Sequence, residues 1–265
     1  MLFHFKNPKR NKVVYEKLTK IFKPGNSHMN EILNKINALC PNEAFVIGYA
    51  NLVGLLPAGY SNFSYGISIA MKLDDQIIDA ISEYPTLAYL NHYTEINGAL
   101  NECSVSIATL LTDYGIEAVP IKATLSEHEI TEENRVKLAF PMSHKMIATR
   151  AGIGWIGKTD LLVTRRFGPR VRLASVLMNK EITNSGTPVD TSECGNCSVC
   201  VAACPAQAAN GLSWNIGVER SQFYDAFKCR DYCRYITRTV MQKEVSICGK
   251  CVSVCPQGKL LSQKH

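Results

Sequence analysis

Cys194-Gly-Asn-Cys197-Ser-Val-Cys200-Val-Ala-Ala-Cys204-Pro205 is the stretch from which the fold of this chain follows. Three thiols two residues apart wrap one four-iron cluster, and a fourth, set before a proline, reaches a different cluster. The short spacers make the loop curl tightly. Gly195, Ser198, Ala202 and Ala203 keep side chains clear and leave amide N–H groups free to face sulfur. Downstream, Cys248-x2-Cys251-x3-Cys255-Pro256 is a matching half that lacks its first thiolate, which Cys229 or Cys233 can supply. The predicted assignment is crossed. Cys194, Cys197, Cys200 and Cys255 take one [4Fe–4S] cluster; Cys204, Cys248, Cys251 and, by preference, Cys229 take the other. Paired C-x-x-C motifs also build zinc sites, but two Cys-Pro endings at this spacing favour clusters.

The rest of the composition is ordinary. The chain has 265 residues, 46% hydrophobic and 20% charged, which suits a globular core and excludes fibrous or disordered classes. Of its 11 cysteines, nine fall after residue 193, a crowding that points to metal rather than disulfides in a cytoplasmic protein. Cytoplasmic location is the expectation, because no apolar run approaches membrane-spanning length and the start MLFHFKNPKRNK has the wrong order for a secretory signal. The net charge of +6 is spread along the chain and marks no nucleic-acid face.

Outward from the cysteines, the pattern predicts an α+β fold in two parts: a reductase-like domain over 1–185 and a cluster module over 186–265, joined by a linker at Asn184-Ser-Gly-Thr-Pro188. Helices are expected over 11–23, 28–39, 74–82, 85–111 and 143–151. Strands are expected at 45–49, at 65–71 with one face inward, and at 116–123. Segment 124–140 is a polar excursion. Strands 160–165 and 170–178 are expected to form a hairpin-like pair through Phe167-Gly168-Pro169.

Gly152-x4-Gly157-Lys158-Thr159 satisfies the Walker A pattern, and Gly152-x-Gly154-x2-Gly157 the dinucleotide fingerprint. Both require a strand before the loop and a helix after it, so that phosphate meets a helix N-terminus. Here a helical segment precedes and a strand follows, so nucleotide binding is rejected. The glycines are expected to allow close backbone approach to something flat or bulky.

Taken together, His144-Lys145, AGIGWIGK (151–158), FGPRVRLASVL (167–177) and the crossed cysteines make the chain resemble the epoxyqueuosine reductase family, and more closely its short double-cluster relatives. That family is distantly related to reductive dehalogenases. The resemblance spans roughly residues 44–258. It implies a nitroreductase-like, cobalamin-binding type of α+β domain followed by a ferredoxin-like module with two [4Fe–4S] clusters. Electrons from a reduced donor, such as a ferredoxin or flavodoxin, would pass through the clusters to the corrinoid and on to an unknown substrate. His144, Lys145, Gly154, Trp155, Gly157 and Lys158 would lie against the corrin, with Trp155 and the glycines as a wall. The alternative is an electron-transfer protein with no corrinoid of its own that reduces a partner, such as a corrinoid protein.

Two departures bear on the reaction. The acidic proton donor implied by the resemblance falls near Leu138, and no Asp or Glu lies between Glu133 and Asp160. His144 is the weak substitute candidate, since histidine titrates near neutrality. The longer relatives continue into helical repeats that help to hold tRNA, whereas only ten residues follow Cys255, so tRNA is not expected as a partner. Tyr49, Tyr60 and Tyr65 are expected to serve packing, and Cys40 and Cys103 to be core thiols. Lys122 and Arg150 are expected to be ordinary surface charges, and Lys6, Lys9, Arg10 and Lys12 a solvated face. Lys228, Arg230, Arg234 and Arg238 surround the lone thiolate, where they can tune the cluster or receive an acidic donor.

Overall fold

The computed structural model describes residues 25–125, 128–140 and 142–262. The helix expected at 11–23 and the basic residues near the start lie outside them. At the centre is a four-stranded antiparallel sheet in the order β1–β2–β6–β3. Its strands are β1 (Phe45–Asn51), β2 (Tyr65–Lys72), β3 (Ala118–Ile121) and β6 (Val171–Met178). Ile69 sits opposite both Ile47 and Ala174, which fixes the register of β1, β2 and β6.

Helices α1 (Gly25–Leu39), α2 (Asp75–Asp79) and α3 (Leu87–Asp113) lie with one face of this sheet. Asp74 caps α2 through Gln76 and Ile77 N–H, and Thr86 caps α3 through Tyr89 N–H. Leu100, Ile107 and Leu111 of α3 pack with Ile67, Ile69, Ala174 and Val176 in the larger core. Cys40 and Cys103 lie buried in that core with their sulfurs in contact, as expected of core thiols.

The opposite face of the sheet is also covered. Beyond the short helix α4 (Glu132–Lys137), α5 (His144–Arg150) crosses it, capped by Ser143. Ile147 and Ala148 join Leu52, Ala70 and Leu177 in a second core. The single buried face expected for β2 is therefore corrected to two. Gly66, Ser68 and Ala70 do not mark a wet face; they make room for α5. A methyl group on Gly66 would come within 3.2 Å of Ile147.

The expected pairing of 160–165 with 170–178 is also overturned. Leu162–Thr164 is β5, and it pairs with β4 (Gly154–Ile156) as a separate two-stranded sheet. The reversal occurs at Gly157–Asp160, where Asp160 takes a left-handed φ of 58° and its N–H reaches the Gly157 carbonyl. Phe167–Pro169 then turns the chain away, which frees β6 to become an inner strand of the main sheet.

Residues 184–188 are not a loose tether. Gly186 N–H bonds to the Tyr49 carbonyl and Val189 N–H to that of Thr149. The remaining helices are α6 (Val199–Ala202), α7 (Arg220–Phe223), α8 (Ala226–Met241), α9 (Lys250–Ser253) and α10 (Pro256–Ser262). Ile247 and Val252 from this part are buried in the larger core, and Ser253 Oγ donates to the Ile81 carbonyl. The two parts are thus packed as one body across a shared interior.

Candidate metal centre and adjoining cavity

The cysteines converge in two groups. Cys194, Cys197 and Cys200 come from the loop around α6, and Cys255 from the turn before α10. Burial first, and then the charges of Cys255, Cys194 and Cys197 around it, push the Cys200 thiol up. Cys255 is raised by burial too, against the N–H groups of Gly258 and Gln257, which point at its sulfur. Such backbone donors are what a thiolate cluster requires of its loop.

The second group brings α8 against the loop before α9. Cys229 and Cys233 are one helical turn apart with sulfurs 3.9 Å from each other, and Cys248 is a further thiol neighbour of Cys233. The hydrogen bond from Cys233 is the main cause that lowers the Cys229 thiol to about 6, aided by the Tyr224 hydroxyl. Cys251 has Cys229 and Cys248 as neighbours, and Tyr232 stands among Cys248, Cys233 and Cys204. Cys233 is only 4% exposed.

The glycine-rich turn lies against these thiols. Trp155 is buried, and its indole Nε1–H donates to Cys194 Sγ at 3.3 Å. A methyl group on Gly157 would lie 3.6 Å from the same sulfur. Lys158, 5% exposed, donates from Nζ to Ser198 Oγ at 3.2 Å, inside the Cys197–Cys200 loop. Thr159, next in the turn, is buried as well.

Gly154 and Gly152 are close to backbone of this chain rather than to a flat ligand. A methyl group on Gly154 would sit 2.2 Å from the Val163 carbonyl, and one on Gly152 2.5 Å from that of Thr187. No helix follows Lys158-Thr159, in keeping with the rejection of a phosphate loop.

Beside the second thiol group opens a cavity of about 760 Å³. Val252, next to Cys251, forms part of its wall, with Leu138, Ile156, Leu161 and Leu162 among the apolar lining. His144 and Lys145 also line it, whereas Gly154, Trp155, Gly157 and Lys158 do not; these four face the cysteines and the β5 backbone.

His144 is held as a bridge. Its Nε2–H donates to the Lys122 carbonyl and its Nδ1 accepts from the Ser175 hydroxyl, both at 2.9 Å. Burial lowers its pKa to about 4, against the Lys122 bond and with the help of Arg172. A neutral ring with both nitrogens engaged is thereby fixed in place on the cavity wall.

The carboxylates lining the cavity are Asp160 and Glu219. Asp160 is 9% exposed; Lys145 Nζ lies 2.5 Å from its Oδ2 and 2.8 Å from its carbonyl oxygen. Sequence reasoning missed this pair because the two residues stand 15 positions apart on α5 and the hairpin turn. The available signal was an acid directly after Gly157-Lys158-Thr159 at a turn position.

Leu138 lies on the cavity wall in a left-handed conformation, φ 45°. Its carbonyl accepts from Arg220 at 2.8 Å, which ties the excursion to the cluster part. Tyr49, Tyr60 and Tyr65 pack against the cores. Lys122 pairs with Glu129 at the surface, whereas the expected surface role of Arg150 is corrected: its side chain is nearly buried and binds Asp190 and the Val189 carbonyl.

Two thiol groups of ferredoxin-type spacing beside an open pocket mark this as an iron–sulfur protein, and residues 193–258 match the 4Fe-4S double cluster binding domain. The relatives are equally consistent. The chain is 30% identical over 132 residues to the epoxyqueuosine reductase of Synechocystis, covering 46% of this chain and 42% of that protein. It is 32% identical over 126 residues to that of Atelocyanobacterium thalassa, covering 47% and 40%. It is a relative of the epoxyqueuosine reductases, and the match spans less than half the length of these curated proteins.

Among solved structures, epoxyqueuosine reductase from Bacillus subtilis superposes with a TM-score of 0.54 at 16% identity, over 87% of this chain and 66% of that one. A reductive dehalogenase described for B12-dependent dehalogenation gives 0.61 at 17% identity, over 86% and 33%. An epoxyqueuosine reductase bound to a tRNA stem loop gives 0.55 at 16% identity, over 87% and 65%. These structural likenesses establish a shared fold. Among the described residues no helix is long and apolar enough to cross a membrane.

Proposed function

We propose that the chain is a cytoplasmic iron–sulfur oxidoreductase of the epoxyqueuosine reductase type, which delivers electrons through two [4Fe–4S] clusters to a corrinoid held in the cavity. The observation that carries this reading is the adjacency of the two thiol groups and the cavity, with Val252 on the wall directly after Cys251. Cys194, Cys197, Cys200 and Cys255 would hold the first cluster; Cys204, Cys229, Cys248 and Cys251 the second. The donor set fits, because each group offers four thiols and inward-facing N–H groups, such as that of Ala208 on Cys204.

The cavity fits a broad, flat group, being open, mostly apolar and large. A bound corrinoid would supply the two-electron reducing chemistry. The chain supplies the surroundings. Leu138, Ile156, Leu161 and Leu162 exclude water from the reacting face. Arg172 is held in place by Asn97 and Tyr93. Lys145 and Asp160 form the proton-bearing pair closest to hand, in place of the acid that Leu138 lacks. The reduced donor, a ferredoxin or flavodoxin, would approach the exposed side of α8, where Lys228 and Arg238 are both about 60% exposed.

The decisive experiment is anaerobic reconstitution with iron and sulfide, addition of cobalamin, and gel filtration. Co-elution of a corrin spectrum with the protein is expected. Clean separation would instead favour the electron carrier that reduces a separate corrinoid protein. An epoxyqueuosine-containing tRNA stem loop is the first substrate to try, given what one structural neighbour binds.

A further inference from the structure

The Gly154–Asp160 turn, part of the stretch with the nucleotide-type glycine pattern, lies against the thiols. We propose that Trp155 and Lys158 raise the reduction potential of the first cluster, the one held by Cys194, Cys197, Cys200 and Cys255. This rests on the double-cluster reading and adds to it which side chains govern electron flow.

Three observations converge. The indole N–H of Trp155 points at Cys194 Sγ from 3.3 Å. Trp155 and Lys158 are buried at 4% and 5% exposure, so neither contact is diluted by water. Lys158 reaches Ser198, between Cys197 and Cys200, so its ammonium stands beside the first thiol group.

The physical effect has a fixed sign. Reduction adds negative charge to a cluster and its thiolates. A hydrogen bond to sulfur, or a buried cation nearby, stabilises that form more than the oxidised one and raises the potential.

The β4–β5 turn places these groups. Gly154 lets β4 lie against the Val163 carbonyl, and the left-handed Asp160 closes the reversal, so residues 155–159 are presented to the thiols.

The test is a potentiometric titration of the reconstituted full chain, followed by the electron paramagnetic resonance of each reduced cluster. Trp155→Phe keeps the bulk and removes only the N–H; one midpoint potential should fall and the other stay. Lys158→Gln should lower that same potential. Wild-type potentials in Trp155→Phe and Lys158→Gln, at full iron content, would overturn the inference. So would loss of iron in both variants with the fold intact, since the turn would then serve only assembly. A wild-type protein that assembles fewer than two clusters would instead overturn the reading beneath it.

Discussion

His144 shows how much a single side chain changes meaning once its neighbours are known. In the sequence it is a titratable group in a suggestive place. In the fold it bridges the Lys122 carbonyl on one side and the Ser175 hydroxyl on the other. Its folded pKa of about 4 lies below the value near 6.5 of an exposed imidazole. Between those values the unfolded chain binds more protons than the folded one, so stability must fall as pH drops from about 6.5 towards 4. The full effect is on the order of 3 kcal/mol. Thermal unfolding followed from pH 7 to 5 should therefore show a steeper loss in the wild type than in His144→Gln; parallel profiles would refute this linkage. Leu138 could be read in the sequence only as a missing acid. Its left-handed backbone and the Asp160–Lys145 pair across the cavity are tertiary facts, because the partners come from segments far apart in the chain.

At the scale of elements, most helices and strands were legible, since their caps and apolar spacing are local. Asp74, Thr86 and Ser143 each stand one residue before a helix and cap it. What was not legible was pairing. Residues 160–165 had two candidate partners of similar strand character, and alternation does not choose between them. The choice was made by the sharp turn at Gly157–Asp160 and by Arg170, whose side chain is 1% exposed. Arg170 bonds Asp75 at 2.7 Å and Asp79 at 2.5 Å, and Gly258 of α10 packs directly on its side chain. This arginine fastens α2, the start of β6 and the last described helix at one point. Arg170→Ala should cost about 3 kcal/mol, the usual effect of breaking a buried ion pair. It should appear as a lowered Tm with cluster content kept at low temperature. An unchanged Tm would show that α10 is held by other contacts.

For the whole molecule, the question is which four of five cysteines supply the ligands beside the cavity. Cys204, Cys248 and Cys251 are common to every reading, which leaves Cys229 or Cys233. Cys233 lies deeper, its sulfur 3.9 Å from that of Cys229, and its thiol is pushed up while that of Cys229 is lowered, so Cys229 is the readier ligand. Cys229→Ala should lose about half the iron, whereas Cys233→Ala should keep it. Iron analysis of the two purified variants decides the matter, and loss confined to Cys233→Ala would reverse the assignment. The boundary at 185/186 marks a change in the chemistry of the sequence. It is not a seam in the packing, because Ile247 and Val252 belong to the larger core.

The sequence by itself determined the cysteine groups, the α+β class and the kinship with epoxyqueuosine reductases, since each depends on residue type and short spacing along the chain. Tertiary structure decided where the Gly152–Lys158 loop points, which strand β5 pairs with, and which acid faces the cavity. Those outcomes depend on contacts between segments far apart in sequence. Their energies come from packing and burial, and no local pattern encodes which distant neighbour will be there.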